Sequence, residues 1–349
     1  MSARIRALLE PPLDWSYLFE AVQGHRVMPL VYRSLQREGS EQIPESDHAK
    51  FRSAYLREGM RIHLQVLQLV ELLALFETYG VDAVPFKGPV LGEIAYGAAT
   101  RRKSGDLDLL IRRDDFATAR DVLVDQGYIP RTASPREEQY LRYRSGSPFR
   151  ATTEEKCNVD LHFTLRQRPF DGFPFSLKLA FDAVWMRCRP LEFHDTTVRT
   201  LSAEDTLLHL CANGAKDSWG VLTKICDIAE LLRRETFDWP VVIQRARDSD
   251  TQRILHVGLA LAHGLLEATL PAAVEQQMYR DPAVRALVTE VSDRLFDPAS
   301  AARKKVGRTL PESVAHHRFR IKLLERPDEK VRYMLYRGLR KLSKSLSDM

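Results

Sequence analysis

The segment Ser104-Gly105-Asp106-Leu107-Asp108-Leu109-Leu110-Ile111 constrains this chain more than any other. Its apolar, β-prone run reads as a buried strand, yet two carboxylates stand two residues apart within it. Residues i and i+2 of a strand share a face. Asp106 and Asp108 therefore project side by side, about 6–7 Å apart, while Leu107 and Leu109 face the other way. Such carboxylates repel one another and are costly to bury unpaired. A hard divalent cation that takes oxygen ligands from both is the usual physical reason to tolerate the arrangement.

The residues just before the pair suit an anion. Val81 to Phe86 is a short apolar run, Lys87-Gly88-Pro89 interrupts it, and Val90 to Gly97 has apolar residues at helical spacing and closes on a glycine. Proline is favoured at the first helical position, where its missing N–H is not needed. A strand running into a Gly-initiated helix exposes free backbone N–H groups and the positive end of the helix dipole, both of which suit a phosphate. Lys87 adds a formal charge there. A phosphate cradle followed by a metal-binding Asp-x-Asp strand is what nucleotidyl transfer requires.

These residues carry a resemblance. Phe86-Lys87-Gly88, Tyr96-Gly97, Arg101-Arg102 and Gly105 to Ile111 resemble the polymerase-β-type nucleotidyltransferase superfamily. More narrowly, they resemble its bacterial group of uncharacterised nucleotidyltransferases in which Lys-Gly replaces the commoner Gly-Ser turn. The likeness continues through Asp114 to Tyr128, through Asn158-Val159-Asp160-Leu161-His162-Phe163, and through Leu201 to Ala229. It implies an α+β fold: a mixed α/β nucleotidyltransferase core with flanking helical domains, mostly helical overall. It implies transfer of a nucleoside monophosphate from an NTP (ATP or another) to a hydroxyl or phosphate of an unidentified acceptor, with release of pyrophosphate. The acceptor classes are a small molecule, a peptide or protein, or RNA. By the same resemblance Asp106, Asp108 and Asp160 are the catalytic metal ligands for two Mg2+ ions, or Mn2+ in their place. Lys87, Gly88, Arg102 and Lys216 bind the nucleotide, Lys216 from the far wall of a cleft, although Arg102 equally suits a pair with a neighbouring acid. Asn213 stands where the group commonly has His. For His162 the residues alone suggest either action on the acceptor or a backbone-bonded edge position, and for Trp219 and Asp227 packing and a surface salt bridge.

The chain divides into an N-terminal helical region (1–77), a nucleotidyltransferase domain (78–165), a mainly helical domain closing the cleft (166–302) and a basic helical tail (303–349). Leu18, Phe19 and Val22, then the run His63 to Phe76, recur at helical spacing. Residues 81–165 alternate strand and helix, and residues 114–126 read as a helix with Asp114-Asp115 at its start. The stretch 131–158 reads either as a strand and turn or as a loop over the site. No uninterrupted apolar run reaches about 18 residues, so no membrane span is expected, and the N-terminus lacks the pattern of a secretory signal. Four cysteines without Cys-x-x-Cys spacing argue against a zinc site and a disulfide framework. They fit reduced thiols in a cytoplasmic protein.

The net charge of +5 is uneven: Arg303 to Met349 holds 14 Lys and Arg against 5 acids. There Met334, Leu335, Leu339 and Leu342 are expected to pack one helix face on the body, leaving Arg332, Arg337, Arg340 and Lys341 exposed. That face suits either solvent or an anionic partner such as RNA. Two further readings follow: a toxin-like enzyme that adds nucleotides to tRNA, and a catalytically silent nucleotide-binding or scaffold protein. Three retained acids argue against the silent one.

Overall fold

In the computed structural model, which describes residues 2–9, 13–131, 146–165, 179–297 and 310–335, four helices come first. They are α1 (Ser2–Leu9), α2 (Trp15–His25), α3 (Met28–Glu38) and the long α4 (Glu45–Thr78). Asp14 caps α2 by accepting from the Tyr17 N–H at 2.9 Å. One face of α4, with Phe51, Ala54, Ile62, Val66, Leu69, Leu72 and Phe76, is buried at helical spacing. By length and composition alone α4 is apolar enough to cross a membrane. The absence of such a segment thus holds only for uninterrupted runs, and the apolar inner face of α4 belongs to the core.

The α/β unit follows as β1 (Ala83–Pro85), α5 (Gly88–Tyr96), β2 (Asp106–Ile111), α6 (Phe116–Asp125), β3 (Tyr128–Pro130), β4 (Gly146–Ala151) and β5 (Asn158–His162). Its five strands form one sheet in the order β1-β2-β5-β4-β3. Only β2 and β5 run parallel, and their register sets Asp108 beside Asp160. Leu107, Leu109, Leu110 and Ile111 are fully buried, so β2 is covered on both faces. The alternative of a strand and turn is met at β4, while 132–145 lie outside the described residues.

Polar groups of α4 fasten the loop ahead of β2. Arg61 donates to the Ser104 carbonyl at 2.8 Å, and Lys103 pairs with the buried Glu58 at 2.8 Å. Gln68 bonds both the N–H and the carbonyl of Cys157, at 3.0 and 3.1 Å, just ahead of β5. The helix therefore fixes the entry points of both acid-bearing strands.

Next come α7 (Phe181–Met186) and a hairpin of β6 (Arg189–Phe193) and β7 (Thr196–Thr200), joined to β1 by the Thr200 hydroxyl on the Pro85 carbonyl at 2.9 Å. Then follow α8 (Ala203–Lys216), α9 (Thr223–Arg234), α10 (Trp239–Asp248), α11 (Gln252–Leu266), α12 (Ala272–Met278), α13 (Pro282–Phe296) and α14 (Leu310–Leu323). Pro240, Pro271 and Pro282 stand at helix starts. The fold is α+β and mostly helical, and all four cysteines are free thiols.

The tail differs from expectation where it is described. Residues 327–335 are helical, but Tyr333 is the buried residue, at 4% exposure, while Met334 and Leu335 are exposed. Tyr333 reaches inward to His317 of α14, bonding its Nδ1 at 2.5 Å, and a buried face set by Tyr333 points the next two residues outward. Arg332 is exposed and 3.8 Å from Asp328. Arg337, Leu339, Arg340, Lys341 and Leu342 lie outside the described residues.

Candidate active site

The local sequence of β1–α5 places Lys87 against the acid strand. Gly88 takes φ +58°, and a Cβ there would stand 3.0 Å from the Asp106 carbonyl. Only glycine holds this left-handed turn at such close approach to β2. Pro89 then opens α5, whose first turn has no side-chain cap, and Gly97 closes it in the left-handed conformation. The uncapped first turn is the arrangement that an anion completes.

Lys87 Nζ lies 2.6 Å from Asp108 Oδ1, and His162 Nε2 lies 3.0 Å from the same oxygen. Asp108 is 6% exposed. Burial works to raise its pKa, but the Lys87 ammonium and the His162 ring outweigh burial and hold the carboxyl well below the usual range. Asp106 and Asp160 behave oppositely. Burial, and then the charge of Asp108, pushes Asp106 up. Burial pushes Asp160 up as well; His162 opposes it, while Asp108 and Asp106 add to it. The strand pair thus holds one well-compensated carboxylate flanked by two under-compensated ones. The ligand atoms of Asp108, Asp160 and His162 lie within 4.8 Å of one another, and Asp106 stands outside this tightest group.

Arg102 turns to the other side. Its Nε and Nη2 donate to the two oxygens of Asp227 at 2.7 and 2.9 Å, and Nη1 is 3.4 Å from the Gly88 carbonyl. The Tyr96 hydroxyl donates to the same carboxylate at 2.8 Å. Asp227 on α9 is fully buried, so it is no surface salt bridge: it joins the helical region to α5 and the loop before β2. Trp219 is fully buried and packs on Phe319, with ring centroids 6.5 Å apart, which is the packing role expected of it. His162 bonds a carboxylate rather than backbone, so an edge position satisfied by the main chain is not what it occupies.

Lys216 is exposed in the last turn of α8, where its carbonyl accepts from Arg320 at 2.5 Å. Two residues not singled out from the sequence interact with Lys87 or Phe86. Lys224 opens α9 with a side chain 16% exposed, 3.5 Å from Asp217. Burial lowers its pKa, Asp217 opposes this, and the charge of Lys87 lowers it further. His209 on α8 is 4% exposed and meets Phe86 edge-on at 5.2 Å, as His162 does on the same ring. Neither ring nitrogen of His209 has a hydrogen-bond partner. The signals were present: His209 lies one turn before Asn213, itself buried, and Lys224 lies three residues before Asp227, so each pair shares a helix face.

Burial, then the Lys87 charge, holds the His209 pKa well below normal, and burial brings His256 of α11 down to about 4. Both groups have depressed folded pKa values, so the unfolded chain takes up protons that the folded chain refuses. The stability they protect is fully present above the ordinary histidine value near 6.5 and is lost as pH falls through it. For His256 the window runs from there to about 4. Chemical denaturation between pH 7.5 and 5 is expected to lose up to about 1.4 kcal/mol per pH unit for each histidine. A pH-independent midpoint over that range contradicts two neutral buried histidines.

A family model described as an uncharacterised nucleotidyltransferase matches residues 11–267. No curated protein matches the chain.

Proposed function

Because the chain belongs to the uncharacterised nucleotidyltransferase family, we propose that Asp106, Asp108, Asp160 and Lys87 carry out transfer of a nucleoside monophosphate from an NTP to an acceptor hydroxyl or phosphate. The observation that supports this reading most is the register of β2 on β5, which stands Asp108 beside Asp160, with Lys87 from the α5 start reaching the same carboxylate. The donor set fits a divalent cation, Mg2+ or Mn2+. Asp106 and Asp160 are both pushed toward protonation by burial and neighbouring negative charge, a conflict that a bound cation relieves. Such an ion neutralises charge on the attacking and leaving oxygens.

The chain's own residues divide the remaining work. The first turn of α5 receives the terminal phosphates, and Lys87 leaves Asp108 to pair with them. Asp160 accepts the proton of the acceptor hydroxyl. The acceptor oxygen bonds to the α-phosphorus, the bond from that phosphorus to the bridging oxygen breaks, and pyrophosphate departs with the electron pair. Lys216 and Lys224 are two candidates for a cation on the helical wall, and burial near Lys87 favours Lys224. Arg102 serves by holding the turn through Asp227 and the Gly88 carbonyl.

Incubation with α-labelled NTPs and cell extract, followed by separation of protein, RNA and small-molecule fractions, tests the reading and identifies the acceptor class. Label in none of the fractions with any NTP and either metal counts against it. A narrower expectation concerns Lys87. Lys87→Ala is expected to weaken NTP affinity by about 1–3 kcal/mol, the scale of a charge-assisted contact. Calorimetry in the presence of metal checks this, and unchanged affinity removes Lys87 from the phosphate site.

A further inference from the structure

The three-carboxylate pattern assigns oxygen ligands only, yet the tightest ligand cluster among the described residues contains a nitrogen. Asp108, Asp160 and His162 bring one ligand atom each within 4.8 Å of the others. The cause is the parallel register: Asp108 sits beside Asp160, and His162, two residues on along β5, shares the face of Asp160. The His162 ring is aimed rather than loose. Its Nε2 lies 3.0 Å from Asp108 Oδ1, the edge of the Phe86–His162 pair fixes its tilt at 83° with centroids 5.2 Å apart, and its side chain is 22% exposed.

Mg2+ takes oxygen ligands and binds through carboxylates, phosphates and water. An imidazole shifts a donor set toward first-row transition ions. Among these, Mn2+ also suits carboxylates.

We infer that His162 Nε2 is a metal ligand beside Asp108 and Asp160, so that one cation position of this site is a mixed nitrogen–oxygen centre that selects Mn2+ over Mg2+. The inference rests on the nucleotidyltransferase reading only for the site's purpose, since the ligand geometry stands without it. Coordination takes the Nε2 lone pair, so the bound imidazole carries its proton on Nδ1. Lys87, which bonds the same Oδ1 at 2.6 Å, withdraws to make room for the ion.

The test uses the full chain, without nucleotide, titrated with Mn2+ and followed by electron paramagnetic resonance. Pulsed measurements on the bound ion are expected to show nuclear modulation from a directly coordinated 14N. That modulation disappears when the wild-type chain is labelled with 15N-histidine, a control that needs no substitution. His162→Gln is expected to lose the nitrogen signal and weaken Mn2+ binding at least tenfold, with Mg2+ affinity changed far less. His162→Asn provides a second variant, and the circular dichroism of both checks folding. No nitrogen coupling in the wild type, coupling retained in a folded His162 variant, or an unchanged Mn2+-to-Mg2+ ratio overturns the inference. Transfer of labelled nucleotide alongside any of those results leaves the enzymatic reading intact. Nitrogen-coordinated Mn2+ in a chain that binds no NTP by calorimetry upholds the metal centre and removes the enzymatic reading instead.

Discussion

Asp106→Asn and Asp108→Asn are expected each to abolish nucleotidyl transfer, by about 10³-fold or more, corresponding to roughly 4 kcal/mol of lost transition-state stabilisation, and to differ sharply in stability. From the sequence alone the two carboxylates form a repelling pair whose relief cannot harm the fold. The structure separates them. Asp106 is pushed up by burial and by the Asp108 charge, so an asparagine there removes a repulsion and leaves the metal-free fold as stable as before or slightly more so. Asp108 is the partner of the Lys87 ammonium and of His162, with its own side chain 5% exposed. Its amide leaves a largely buried lysine without its counter-charge. Breaking a buried ion pair on one side costs about 3–5 kcal/mol, and with Lys87 17% exposed the lower end, about 3 kcal/mol, applies. Denaturant titration of both variants without metal, beside labelled-NTP incorporation, checks the contrast. Equal stability of the two shows that the Lys87–Asp108 pair does not form in solution.

A larger loss of stability is expected away from the acids. Arg102→Met or Asp227→Asn removes one side of a bidentate pair in which Asp227 is fully buried and Arg102 is 10% exposed. Burial opposes charge on Arg102, but Asp227 outweighs it and holds the guanidinium more firmly protonated than normal. Either change is expected to cost about 3–5 kcal/mol and to lower Tm by roughly 10 °C. Arg102→Lys rescues little, because an ammonium cannot reproduce the two parallel bonds. Tyr96→Phe, which removes one donor of three, costs far less, about 1–2 kcal/mol. The double change Arg102→Met with Asp227→Leu is expected to recover most of the loss, since apolar replacement of a whole buried pair is often neutral. Thermal unfolding of the five variants settles the order, and Arg102 or Asp227 single variants within about 1 kcal/mol of wild type place the pair in solvent instead.

Much of this protein was determined by the sequence alone, because its signals are local. Alternation of Asp and Leu along 106–109 specifies a strand with both acids on one face, and Lys87-Gly88-Pro89 specifies a turn into a helix. Each depends on backbone geometry within a few residues, and each appears where the pattern puts it. The acid partner of Arg102 is 125 residues distant in the chain, and His209 reaches Phe86 from across the fold. No periodicity encodes such pairings, since they arise from the packing of α9 on α5 and of His209 of α8 on the Phe86 ring. The same holds for charge. Sequence shows two aspartates of equal standing, and only the tertiary arrangement, by placing Lys87 and His162 on one oxygen of Asp108, makes that carboxylate compensated and leaves its neighbours strained. Electrostatic energy depends on distance and burial in three dimensions, so residue type was legible in the sequence while the state of each residue was decided by the fold.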